Sequence, residues 1–189
     1  VTRAAGADRL RLPELPATEF RRAAGRFPTG VTVLSCVRDG QAHGMTVNAF
    51  STVSLDPLLV LAVLGNRSLT TRRLLAGDGF AVTVLSAGQE AVARAFADSA
   101  RARDGSLFDG VAHAPAPGTG SPVLTGGVAY FDCTVDAVHP AGDHTVLVGA
   151  VRAFGPLSEE PALLFSRSRL GAEPDFAEPA LAVPPGPPR

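Results

Sequence analysis

Within residues 127–138, GVAYFDCTVDAV, side chains alternate between two faces from Ala129 to Ala137, the two-residue period of a half-buried β-strand. Ala129, Phe131, Cys133, Val135 and Ala137 fall on one side, with Tyr130, Asp132, Thr134 and Asp136 opposite. Much of the chain repeats the theme. VTVLSCVRDGQAHGMTV (31–47) reads as two strands joined at Asp39-Gly40, a strong hairpin signal. STVSL (51–55) and LLVLAVL (58–64) follow around the Asp56-Pro57 turn, the second apolar on both faces, as expected of a strand covered on two sides. FAVTVL (80–85), HTVLVGAVRAF (144–154) and ALLF (162–165) complete the set.

Helical signals are short and lie between the strands. Thr18 is placed to cap a helix whose Phe20, Ala24 and Phe27 share a stripe, ended by Pro28. NRSLTTRRLLAGDG (66–79) offers Ser68 as N-cap and Gly77 as C-cap, and SAGQEAVARAFA (86–97) opens with a capping box from Ser86 to Gln89. Residues 100–121 are rich in Gly, Ala and Pro and read as irregular. About seven strands with short crossover helices predict a mainly β fold, a closed or nearly closed antiparallel barrel. It is expected to span residues 18–171, between a loose arm (1–17) and a Pro-rich extended or disordered tail (172–189).

Composition excludes several classes. All 17 basic residues are arginine, so mechanisms that need a lysine Schiff base or a P-loop lysine are out. Net charge is −1 with no basic run, which argues against a nucleic-acid partner. No stretch approaches the roughly 18 apolar residues of a membrane span, and VTRAAGADRLRLPELPATEF (1–20) lacks the apolar core of a signal peptide. Cys36 and Cys133 lie in apolar surroundings without CxxC spacing and read as buried reduced thiols; the expected setting is cytoplasmic. The four histidines have no metal-ligand spacing, no GxGxxG follows a first strand, and no Ser/His/Asp or Cys/His set stands out.

Three stretches could carry chemistry. GMTVNAFSTVSLDP (44–57) gathers Thr46, Asn48, Ser51 and Thr52 between two strands. Either this is turn chemistry on a wet strand edge, or main-chain amides and small side chains at Thr46, Val47, Asn48 and Ala49 meet a flat heteroaromatic ligand with imide-type edges. NRSLTTRR (66–73) puts Ser68, Thr70 and Thr71 at a helix start, with Arg67, Arg72 and Arg73 nearby, where a phosphate is the natural guest and a plain N-cap the simpler reading. AGDHTVLVG (141–149) starts a strand at His144, either a satisfied polar residue or a group facing a pocket.

RFPTGVTVLS (26–35), HGMTVNAFSTVSLDPLLVLAVL (43–64), RSLTTRRL (67–74), FAVTVLSAGQEAVARAFA (80–97) and GDHTVLVGAV (142–151) occur in this order, and together the chain resembles the flavin reductase family of FMN-binding split-barrel proteins. The resemblance implies a homodimer of six-stranded split barrels that binds FMN or FAD near the subunit interface. NADH or NADPH would serve as hydride donor, and the reduced flavin would diffuse to a partner flavin-dependent monooxygenase. It implies that Pro28, Thr29 and Gly30 flank the flavin ring, that Thr46, Val47, Asn48 and Ala49 meet its edge, and that Ser68, Thr70 and Thr71 hold the phosphate with help from Arg72 or Arg73. His144 would line the nicotinamide side. No metal is implied. LLFSRSRLG (163–171) matches the closing segment, but Asn48, Thr83, Leu58, Phe165 and Leu170 depart from the residues usual there.

Hydride transfer between two cofactors asks the protein mainly to stack rings and exclude water, in keeping with a sequence that shows no strong catalytic carboxylate or nucleophile. Two other readings stay open: a flavin-retaining reductase that acts directly on an organic substrate, and a non-catalytic flavin-binding protein.

Overall fold

The computed structural model describes residues 15–77, 79–98, 100 and 106–172. The bulk of the expected arm (1–14) and of the expected tail (173–189) lies outside them. Helix α1 (Ala17–Ala24) leads into a short strand β1 (Thr29–Gly30), then β2 (Thr32–Arg38) and β3 (Gln41–Val47). The β2–β3 turn is Asp39-Gly40 with φ of 52° and 74°, the two left-handed positions that match strand twist in a two-residue hairpin. Strands β4 (Phe50–Leu55) and β5 (Leu58–Gly65) follow, then α2 (Leu69–Leu75), β6 (Gly79–Val84) and α3 (Glu90–Ala97). The chain closes with β7 (His113–Pro115), β8 (Pro122–Leu124), the long β9 (Ala129–Ala141) and β10 (His144–Pro156), and the hairpin β11 (Leu163–Ser166) and β12 (Arg169–Ala172).

Seven strands form one antiparallel sheet in the order β3-β2-β6-β9-β10-β5-β4, one more than the six expected, with β4 added outside β5. Residues from both halves of the sheet share one apolar core. Leu34 and Val47 from the β2–β3 end meet Val60 and Leu64 of β5, with Phe80, Cys133 and Leu147 between them. A flat sheet cannot bring its ends to one core, so this one curls, and β3 packs on β5 with no ladder joining them. A second core, outside β2, holds Val31, Val33, Phe96, Phe108 and Leu163 beneath α3 and β11. Strand β2 is therefore covered on both faces.

The structure revises several expectations. The first helix starts one residue before Thr18, with Pro16 rather than a side chain at its cap position, and none of its residues is buried. The helix ends at Ala24, so Phe27 falls outside it and shares no helical stripe with Phe20, and the two rings are 75% and 70% exposed. Only one face of β5 is buried; Leu59, Leu61 and Val63 are half-buried and Leu58 is exposed. Helix α2 ends at Leu75 and its C-cap is Ala76, one residue before the expected Gly77. The Ser86–Gln89 capping box is present but caps a 3-10 turn that runs into α3. The stretch read as irregular contains β7, which pairs with β8 just beyond it. Asp132, assigned to the wet face of β9, has no exposed surface, because the loop 116–121 folds over it.

Both cysteines are free and buried, and burial pushes their thiols up to about 11 (Cys36) and about 12 (Cys133), so neither is a nucleophile at neutral pH. His43, across the hairpin from Cys36, is buried with its Nε2 unpartnered among the described residues. Desolvation, then the Arg73 charge, lower its imidazole pKa against a smaller upward pull from Asp39. The unfolded chain therefore takes up this proton at a higher pH than the folded one. The stabilisation is complete above about pH 6.5 and is lost as pH falls below that toward the folded-state value. Thermal melts between pH 8 and pH 5 should fall less steeply on the acid side for His43→Leu than for wild type; parallel curves would assign the acid loss to other groups.

Candidate functional site

Strand β3 is the sheet's edge, so half of its main-chain amides and carbonyls point away from β2 and are unclaimed by a neighbouring strand. Two helices pack across it. Thr70 of α2 donates from Oγ1 to the Gly44 carbonyl at 3.0 Å, and Thr46 donates from Oγ1 to the Ala93 carbonyl of α3 at 2.6 Å. A side chain at Gly44 would meet the Phe96 ring at 2.7 Å and Phe108 at 2.9 Å, so glycine there lets α3 close on the strand. Between the start of α2 and the end of α3 the edge of β3 stays open as the floor of a groove.

The groove has two compartments. The outer, about 540 Å³, has Met45 and Thr46 on its floor, Arg67, Ser68 and Arg72 on one wall, and Phe96, Ala97 and Asp98 on the other. The inner, about 320 Å³, runs from Thr46 and Asn48 to Val31, Arg94 and the β11–β12 hairpin, which contributes Phe165, Ser168 and Leu170. Thr46 and Ala97 line both, so the two compartments adjoin. Each falls in the roughly 300–1,000 Å³ range of small-molecule sites.

Thr46, Asn48, Ser68, Thr70 and Arg72 thus come together in this groove. The other sequence candidates lie beside it. Val47 turns its side chain into the barrel core, and its carbonyl accepts from Thr32 Oγ1 at 2.7 Å; the Ala49 carbonyl accepts from the Val63 amide at 2.9 Å. Thr71 is buried against Met45, its Oγ1 3.7 Å from the sulfur, while its amide donates to Ser68 Oγ at 3.3 Å. Thr70 and Thr71 therefore spend their hydroxyls fixing α2 to β3. Arg73 turns away to Asp39 at 3.4 Å; Arg67 and Arg72 face the groove without an ion pair among the described residues.

Pro28 and Gly30 are exposed, and Thr29 pairs with Phe165 of the inner compartment. Thr29 Oγ1 is buried with no partner among the described residues, an orphaned hydroxyl two residues from Val31 of the inner wall. His144 stands outside the lining, at the mouth of the β9–β10 turn and paired with Gly65. Its Nδ1 donates to the Asp143 carboxylate at 2.7 Å, which lowers the Asp143 pKa, and half of its side chain is exposed. The Asn66 amide donates to the Asp143 carbonyl at 3.1 Å, which ties this turn to the segment that carries Arg67.

Reasoning from sequence missed Phe96, Ala97 and Asp98, and gave Phe165 and Leu170 no place at the site. Phe96 lies four residues after Val92, a helical spacing that points to the core rather than to a ligand. Phe165 and Leu170 reach the groove from more than a hundred residues downstream of β3, a proximity no local pattern encodes. Among the described residues no group of three or more His, Cys, Asp or Glu could hold a metal, and no helix is long and apolar enough to cross a membrane.

The profile of the flavin reductase like domain matches residues 24–173, and the chain belongs to this family. An NADH-dependent FAD reductase of Streptomyces globisporus is 40% identical over 151 residues, covering 80% of this chain and 82% of that protein. The flavin-dependent monooxygenase reductase subunit HsaB of Rhodococcus jostii is 36% identical over 162 residues, covering 85% and 80%. Among solved structures, the S. globisporus C-1027 NADH:FAD oxidoreductase SgcE6 in complex with NAD and FAD fragments superposes with a TM-score of 0.79 at 37% identity, covering 85% of this chain and 94% of that one. BorF, the flavin reductase component of a bacterial two-component tryptophan halogenase, gives 0.80 at 34% identity, covering 85% and 99%.

Proposed function

We propose that this chain is an NAD(P)H:flavin oxidoreductase that passes reduced flavin to a separate monooxygenase. The observation that carries the reading is the convergence of the β3 edge and the Arg67–Ser68–Arg72 wall on one groove. A flavin nucleotide has a flat ring with an imide edge at one end and a phosphate at the other. The free edge of β3 at Thr46, with Asn48 just past its end, supplies in-plane donors and acceptors, Val31, Phe165 and Leu170 supply apolar walls, and Arg67 and Arg72, without an ion pair among the described residues, supply an anion grip with Ser68.

When bound, the flavin supplies a ring that accepts hydride and the nicotinamide nucleotide supplies the hydride. The chain's own work is positional. Thr46, held by the Ala93 carbonyl, sets the height of the floor; Phe165 and Leu170 keep water from the inner compartment; Thr70 and Thr71 hold α2 so that Ser68 and Arg72 face inward. His144, hydrogen-bonded to Asp143, is assigned to the nicotinamide side by the family resemblance.

A homodimer is part of this reading. The exposed Phe20 of α1 and Phe27 just after it, with Val53, Leu55 and Leu58 on β4 and β5, are apolar surface that a second copy would bury. The two protonated, unpaired thiols favour a cytoplasmic setting.

The test is a matrix of FMN, FAD and riboflavin against NADH and NADPH, following loss of nicotinamide absorbance with purified protein. Steady oxidation that requires added flavin is expected. No turnover with any pair would defeat the proposal, and a protein that stays yellow after exhaustive dialysis would point to a retained prosthetic group instead.

A further inference from the structure

A third hollow, of about 220 Å³, adjoins the inner compartment through Ser168, which lines both. Its walls are Arg21, Arg22 and Arg26 from α1 and the segment after it, and Arg167 from the β11–β12 turn. Among the described residues none of these four guanidiniums is in an ion pair. A helix C-terminus accounts for arginines at positions 21 and 22, but not for a fourth that arrives from a separate hairpin.

That fourth arginine is held at a cost. Arg167 and Ser168 form the two-residue turn with φ of 49° and 62°, left-handed positions where Gly, Asn or Asp are usual. The Arg167 amide donates to the Gly25 carbonyl at 2.6 Å, which clamps the turn to the end of α1. The clamp brings four like charges together with no ion pair to offset them among the described residues, an arrangement suited to an added anion.

The order of the hollows along the groove identifies the anion. Arg67 and Arg72 lie at the outer end, the ring-edge residues Thr46 and Asn48 in the middle, and the arginine quartet beyond Ser168 at the other end. A flavin whose ring sits on β3 and whose phosphate reaches Arg67 and Arg72 leaves the quartet on the far side. The remaining phosphate-bearing reactant is the hydride donor, whose nicotinamide must face the ring.

We propose that Arg21, Arg22, Arg26 and Arg167 form the docking site for the phosphates of the pyridine nucleotide donor. This rests on the flavin-groove reading above. The shared chemistry is a phosphate ester, either the pyrophosphate common to NADH and NADPH or the 2′-phosphate of NADPH alone.

The test compares wild type with Arg167→Asn, which keeps a residue tolerant of the left-handed turn, and with the double variant Arg21→Gln/Arg22→Gln, which leaves the hairpin untouched. Donors are NADH, NADPH and N-benzyl-1,4-dihydronicotinamide, which has no phosphate. Both variants should raise the donor KM by roughly 10-fold, as expected for loss of a charge-assisted hydrogen bond, with little change in the rate with the benzyl donor or in flavin KM. An equal rise for NADH and NADPH identifies the pyrophosphate as the anion held; a rise for NADPH alone identifies the 2′-phosphate. Unchanged donor KM in both variants would overturn the proposal, as would a rise in FAD KM in its place, or an equal loss with the benzyl donor. A wild-type protein that reduces flavin with the benzyl donor while both variants match it throughout would sink this site and leave the flavin groove standing.

Discussion

Ala97→Trp is expected to cut flavin-dependent NADH oxidation by at least about 100-fold, the scale of loss when reacting partners are displaced by an ångström or more. Ala97 ends α3, is exposed, and lines both compartments of the groove. An indole at this position fills the space above Thr46, where the flavin ring would lie. Nothing in the barrel core depends on the alanine side chain, and the helix-propensity cost is about 0.5 kcal/mol, so the melting temperature should move by only a few degrees. Steady-state rates with saturating FMN or FAD, set beside a thermal melt, make the measurement, with Ala97→Ser as the control that should keep activity. A tryptophan variant that turns over like wild type would mean that flavin does not occupy this groove.

Asp132→Ala is expected to produce the largest stability loss. Its carboxylate accepts from the Gly118 amide at 2.6 Å, the Thr119 amide at 3.3 Å and Thr119 Oγ1 at 2.6 Å, with no exposed surface. Removing it strands three donors under the loop 116–121, and buried donors to a charged acceptor cannot regain water without opening that loop. A loss of about 3 kcal/mol follows from the range for charged hydrogen bonds, or roughly 6–12 °C in melting temperature for a domain of this size. Asp136→Ala, on an exposed position of the same strand, should stay within about 0.5 kcal/mol. Denaturant melts of the pair decide it; equal stabilities would mean that the loop does not depend on Asp132.

The same two aspartates show where sequence reasoning stops. Alternation along β9 assigned Asp132 and Asp136 to one wet face, and as a statement about strand geometry that is sound. It says nothing about which part of the face a distant loop covers. LLVLAVL shows the converse: its outward Leu59, Leu61 and Val63 are apolar, yet this chain leaves them half-buried. Phe20 on α1 gives the same result at a helix. A pattern reports which side chains avoid water, and the cover can come from the same chain or from a second one.

What the sequence by itself determined is local or covalently close. The Asp39-Gly40 turn, the Ser68 cap, the Ser86–Gln89 box and the strand periods each depend on residues within a few positions, whose sterics and hydrogen bonds act without knowledge of the rest. Tertiary structure decided which of the phosphate candidates face the groove. Arg67 and Arg72 do, while Thr70 and Thr71 anchor the helix and Arg73 joins Asp39. It also brought Phe165, Ser168 and Leu170 to β3 and set Arg167 beside α1. Those juxtapositions follow from curling one sheet around one core, and the curl is a property of all its strands together.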